Sequence, residues 1–93
     1  MIRVMIERHI ADDLAEYYEQ AARNTLQTAM QAHGFISGES LRNTNDSNHR
    51  VVMANFRTIQ DWQRWHGSAE RKEIMEAIMP MLDGEEKITV LEH

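Results

Sequence analysis

The sequence predicts an α+β fold with the order β-α-β-β-α-β, a ferredoxin-like sandwich in which a four-stranded antiparallel sheet carries its helices on one face. Three observations lead there. A period-two run of β-branched residues opens the chain, another closes it, and two further strand-like runs lie in its middle. Two stretches at helical spacing separate these runs. The two middle runs flank a short polar turn, so they pair as an antiparallel hairpin.

Residues 2–10 form the first strand, with Ile2, Val4, Ile6 and Ile10 on one face and Met5 on the other. Asp12 and Asp13 offer a cap and negative charge to a helix N-terminus. From Leu14 to His33 the period becomes helical: Leu14, Tyr18, Ala21, Ala22, Thr25, Ala29 and His33 share a face, and Gly34 stands at the C′ position. Phe35 to Leu41 reads as the second strand, with Gly38 as its candidate bulge. Asn43 to Asn48 is a polar turn cluster, and Arg50 to Phe56 is the third strand. Thr58-Ile59-Gln60-Asp61 resembles a capping box with Asp in place of Glu. The helix that follows is interrupted at Gly67-Ser68, recapped by Ser68, and ended by Pro80. Asp83-Gly84 is a turn, and Lys87 to Leu91 is the last strand.

Composition narrows the function. A chain of 93 residues and 10.9 kDa is a single domain, residues 1–93, without a separate cofactor domain. Its net charge of −5 argues against nucleic acid, which demands clustered Lys and Arg. With no cysteine, a disulfide framework, a Cys zinc site and a thiol nucleophile are excluded, and a reducing cytoplasm is the expected location. No segment approaches the roughly 20 apolar residues of a membrane span, and charges interrupt the apolar N-terminal run as a secretory signal would not allow.

The third strand carries a quaternary expectation. An antiparallel sheet with one wet face alternates apolar and polar residues. Val51-Val52-Met53-Ala54 does not alternate. Two helices cover only one face, so the open sheet face is expected to meet a second copy of the chain in a homodimer.

Several motifs resemble one family. Gly34-Phe35-Ile36-Ser37-Gly38-Glu39-Ser40 resembles the approach to the second strand of the antibiotic biosynthesis monooxygenase domain. Phe56-Arg57-x-x-x-Asp61-Trp62-x-x-Trp65-x-x-Ser68-x-Glu70 is similar to its central helical stretch, and Glu86-Lys87-Ile88-Thr89-Val90 to its closing strand. The resemblance spans nearly the whole chain in the right order. It implies a dimeric α+β barrel, in which two sheets pack together and each subunit has a pocket between sheet and helices. It also implies small aromatic substrates, oxygenated in some members with O₂ and no cofactor. Other members cleave haem, isomerise or bind small ligands, so the fold leaves the reaction open.

The candidate residues follow. Trp65 matches the family's pocket tryptophan, which presses against aromatic substrates, and as a helix residue it equally suits the core, as does Trp62. Asp61 stands where some cofactor-independent oxygenases carry an Asn that touches substrate oxygen. A carboxylate in an apolar pocket could act as a base on a phenol, and capping of the helix is the other role open to Asp61. Arg8 shares the strand-one face of Val4, Ile6 and Ile10, where it could pair with a substrate phenolate or carboxylate, or with a Glu at an interface or rim. Met53, Met75 and Met79 could line the cavity or fill an ordinary core. His66 points about a third of a turn from Trp65, beside the pocket or towards solvent. His9, His33 and His49 show no metal spacing, so no metal is expected. The haem-cleaving branch uses a His and a strand-one Asn at positions that align here with Met75 and Arg8, which disfavours haem degradation.

Three functions compete. A cofactor-independent monooxygenase would deprotonate an electron-rich phenol and pass an electron from the anion to O₂ in a dry pocket, so the absence of GxGxxG fits it. A non-catalytic or regulatory module would bind the same small aromatic ligands without turnover. An RNA-recognition domain shares the element order, but Arg50 to Phe56 lacks the Gly and paired aromatics that stack bases.

Overall fold

A computed structural model describes residues 1–93. The strands are β1 (Ile2–His9), β2 (Phe35–Asn43), β3 (Asp46–Phe56) and β4 (Lys87–Glu92). They form one sheet in the order β2-β3-β1-β4, every neighbour antiparallel. The helices are α1 (Ala15–Ala29), α2 (Ile59–His66) and α3 (Ala69–Ile78), the last followed by a 3₁₀ turn over Met79–Met81. No helix is long and apolar enough to cross a membrane.

Register sorts the side chains. Ile2, Val4, Ile6 and Arg8 of β1 oppose Phe56, Ala54, Val52 and Arg50 of β3, and this set faces the helices. Met5 opposes Met53 and Glu7 opposes Val51 on the other face, where no helix lies. The unalternating run of β3 is therefore two interleaved sets: Val52 and Ala54 under the helices, Val51 and Met53 on the open face. The core falls into two clusters. Ile2, Val4, Ile6, Ala54 and Phe56 pack with Ala29, Trp62 and Trp65. Ile10, Tyr18, Ala22, Met75 and Ile78 form the second. On β1, Arg8 stands between Ile6 of the first and Ile10 of the second.

Local structure departs from the sequence reading in four places. Helix α1 stops at Ala29, four residues before His33. Its last stretch unwinds through i→i+3 turns, Gln31 donating to Thr28 and Ala32 to Ala29, while Thr25 and Thr28 hydroxyls bond back to carbonyls four residues earlier. Neither Asp12 nor Asp13 caps α1. Leu14 holds that position without a side-chain bond, Asp13 adopts φ 68°, and Asp12 accepts from Asn48 Nδ2 at 2.9 Å. Most of the polar cluster is strand: the hairpin tip is only Thr44-Asn45, closed by the Asn43–Asp46 pair. Bonds from the Asn45 and Asn48 amides to the Asn43 and Asp46 side chains shape the turn. Finally, the β2 irregularities lie between Phe35 and Ser37 and between Arg42 and Asn43, while Gly38 pairs regularly with Ala54.

The helix interruption follows the sequence reading. Thr58 caps α2 by accepting from the Asp61 amide, and Ser68 caps α3 by accepting from the Arg71 amide. Pro80 sits in the 3₁₀ turn just past α3.

Two glycines are needed for different reasons. Gly34, at φ +82°, turns the chain into β2, and its carbonyl accepts from Arg57 N at 2.8 Å. A Cβ there would run into the Asp61 carboxylate. Gly38 lets Leu26 of α1 lie against β2: a Cβ would sit 2.9 Å from Leu26 Cδ1. Gly84, at φ +97°, has open space around it. In urea denaturation, Gly84→Ala should therefore lose about 1 kcal/mol, the left-handed backbone penalty alone, and Gly34→Ala at least about twice that. Equal losses would mean that Asp61 yields freely.

Candidate functional site

The first core cluster leaves a small cavity of about 40 Å³ between sheet and helices. Phe35, Phe56, Trp62 and Trp65 give it an aromatic wall. Phe56 meets Phe35 edge-on at 5.4 Å and 88°, and Trp62 at 5.6 Å and 65°, the geometry that ring quadrupoles favour. Ile6, Val52 and Ala54 come from the sheet, and Ala22, Leu26 and Ala29 from α1. Against this apolar lining stand two guanidiniums, Arg8 and Arg71.

Both arginines are held by one carboxylate. Arg8 Nε donates to Glu86 Oε2 at 3.0 Å, and Arg71 Nη2 donates to Glu86 Oε1 at 2.7 Å. Arg8 also donates to the Tyr18 hydroxyl at 3.1 Å and to Met75 Sδ at 3.7 Å. Burial would raise the Glu86 pKa, but the hydrogen bonds and charges of Arg71 and Arg8 outweigh it and hold the carboxyl below its ordinary value. Glu86 is thus a stable anion and a weak base. Arg71 spends one of its five N–H donors on Glu86 and also lines the cavity.

A wider groove of about 300 Å³ adjoins the cavity between α1 and β2. Ala22, Leu26 and Ser40 border both spaces, so Leu26 is the partition between them.

The sequence-predicted residues scatter around this site. Trp65 and Arg8 do line the cavity, and Trp62 joins them. Asp61 does not. Its carboxylate lies beneath Gly34, accepts from the Thr58 hydroxyl at 3.0 Å and from Arg64 at 3.3 Å, and faces a polar cleft of about 340 Å³ with His33. Trp65 borders both spaces, while Asp61 borders the cleft alone. Met75 packs behind Arg8 in the second core cluster rather than at the cavity. Met53 lies on the open sheet face, because its register with Met5 turns it away from the helices. Met79 is 57% exposed on the 3₁₀ turn. His66 is exposed, its ring tilted over Trp62 at 5.2 Å. Loss of solvent around the ring and the charge of Arg71 lower its pKa, against an opposite pull from Glu86. The two positions aligned with haem-cleaving residues hold Arg8 and Met75, and they bond to each other.

Glu86, Arg71, Tyr18 and Arg50 escaped the sequence reading. Arg50 had a usable signal, since it falls on the same strand face as Val52 and Ala54. Glu86 had none, since it lies in a segment outside regular structure and its partners are 78 and 15 residues away.

The chain belongs to the antibiotic biosynthesis monooxygenase family, whose sequence model matches residues 1–77. Its structure is similar to a solved antibiotic biosynthesis monooxygenase that is 10% identical, with a TM-score of 0.90 over 100% of this chain and 98% of the other. A conserved protein from Methanosarcina mazei is 14% identical, with a TM-score of 0.91 over 98% and 90%. A variant of SnoaB, a cofactor-independent oxygenase from Streptomyces nogalater, is 13% identical, with a TM-score of 0.86 over 99% and 92%. At these identities the likeness is one of fold. No curated protein matches the sequence.

Because folding depresses the Glu86 pKa, its ion pairs stabilise the protein above the ordinary carboxylate value, and that stability is lost as pH falls through the folded value. Glu86→Gln should cost about 3 kcal/mol at neutral pH, the scale for orphaning buried charges. Urea denaturation should show the difference from wild type shrinking once pH drops below about 4. A difference independent of pH would mean that the loss is one of packing.

Proposed function

We propose that the protein is a cofactor-independent monooxygenase acting on a quinol-like or polycyclic aromatic small molecule. The observation that carries this reading is the pairing of an aromatic-walled cavity with two buried guanidiniums. An aromatic ring suits the wall of Trp65, Phe35 and Phe56. A phenolate or enolate oxygen suits Arg8 and Arg71.

The chemistry would begin with loss of a proton from an electron-rich phenol or anthrone. No carboxylate free to act as a base lines the cavity, since Glu86 is committed to two arginines and Asp61 borders a separate cleft. The guanidiniums therefore act on the proton equilibrium: they favour the substrate anion and lower its pKa, and solvent takes the proton. The anion passes an electron to O₂, and the radical pair joins as a peroxide. Loss of water then leaves one oxygen atom as a new carbonyl and carries away the other. Reaching the cavity requires movement, because ligand sites usually occupy 300 Å³ or more and the cavity has about 40 Å³. Displacement of Leu26 would merge it with the groove.

Oxygen consumption with a panel of anthrones and quinols tests the reading. Enzyme-dependent uptake is expected. Binding of these compounds without uptake would favour the alternative, a ligand-binding or regulatory module. With an active substrate, Arg71→Gln should move the lower limb of the kcat profile, which reports the bound substrate, up by about one pH unit. An unmoved profile would remove the guanidinium from the proton step.

We further infer a homodimer through the open sheet face. Met5, Val51 and Met53 lie there, and Leu41 and Leu91 are 44% and 47% exposed. Sedimentation should give a dimer at micromolar concentration and a folded monomer for Met53→Glu. Monomeric wild type would contradict it.

A further inference from the structure

Three arginines share one rung of the sheet. Arg8 of β1 is the register partner of Arg50 in β3, and Arg50 is the partner of Arg42 in β2. Their side chains point to the helix-facing side, at cross-strand spacing where like charges repel. Two of them are nearly out of water, at 3% exposure for Arg8 and 5% for Arg50. Tyr18 is held between those two, 6.0 Å from Arg8 Cζ and 5.8 Å from Arg50 Cζ.

The rung is unevenly compensated. Arg8 has Glu86, and Arg50 donates to Glu19 at 3.0 Å. Arg42 forms no ion pair, nor does Arg23, which borders the same groove from α1. The groove thus presents three guanidiniums, Arg23, Arg42 and Arg50, against the single carboxylate of Glu19. This stands in a chain whose net charge is −5. The groove adjoins the cavity across Leu26 and Ser40, so with Leu26 displaced one elongated ligand can reach from one to the other.

We propose that the substrate is an aromatic acid: its ring enters the cavity at Trp65, and a carboxylate at its far end is held in the groove by Arg42 and Arg50, with Arg23 at the rim. This rests on the reading of the cavity as an aromatic-binding site. The carboxylate removes the repulsion along the rung and gives the ligand one direction of entry, with its hydroxyl towards Arg8 and Arg71. Arg42 and Arg50 are here binding residues, while Tyr18 positions the guanidiniums on either side of it.

A matched pair of probes separates the two ideas. One is a hydroxynaphthoate with hydroxyl and carboxylate at opposite ends of the ring system, and the other is the naphthol without the carboxylate. Calorimetric titration should show the hydroxynaphthoate binding about tenfold more tightly, the worth of one charge-assisted hydrogen bond. Arg23 and Arg42 are exposed, so the double variant R23Q/R42Q should keep the wild-type melting temperature. It should lose the preference while binding the naphthol unchanged. Equal binding of both probes to wild type would overturn the carboxylate site and leave the cavity reading intact. A preference that survives in the variant would likewise overturn it. Failure of both probes to bind would overturn both readings.

Discussion

Two guanidiniums taken out of water are the constraint around which this small domain is arranged. Arg8 sits on a strand face that is otherwise apolar, and Arg71 comes from a helix packed above it. Burying an unpaired charge costs several kcal/mol even after relaxation. Glu86 meets both, and in doing so ties β1, α3 and the segment before β4 into one polar junction. The junction also divides the core. Apolar side chains close around Trp62 and Trp65 on one side and around Tyr18 and Ile78 on the other, and the cavity lies where aromatic packing gives way to the guanidiniums.

This arrangement changes how the site's chemistry is understood. Asp61 is the general base that the resemblance in sequence implies. The backbone places its carboxylate under Gly34, on a polar cleft and not on the cavity. Its bonds to Thr58 and Arg64 are those of a helix start. What remains at the cavity is positive charge, and positive charge acts on an acidic substrate by stabilising its anion.

The fold was legible because its signals are local. Alternating β-branched residues, helical spacing, Ser68 at a cap and Pro80 at a helix end each act through nearest neighbours in the chain. Trp65 and Arg8 were legible for a related reason, since a strand or helix face can be counted from sequence. Met53 was misplaced because an apolar run without alternation does not reveal which of its members face inward, and only pairing with Met5 decides it. Met79 was misplaced because a 3₁₀ turn rotates it out of the helical stripe that precedes it. Glu86 and the arginine rung were illegible for a deeper reason. They arise from strand register and from contacts between residues far apart in the chain, and no periodicity encodes either.

The structure of the protein with a hydroxynaphthoate bound tests the central claim most directly, because it locates ring, hydroxyl and carboxylate at once. Leu26 should be displaced, the ring against Trp65, the hydroxyl oxygen within hydrogen-bond distance of Arg8 or Arg71, and Glu86 still bridging the two. A ring seated on the open sheet face, or in the polar cleft beside Asp61 with the cavity still closed, would contradict it.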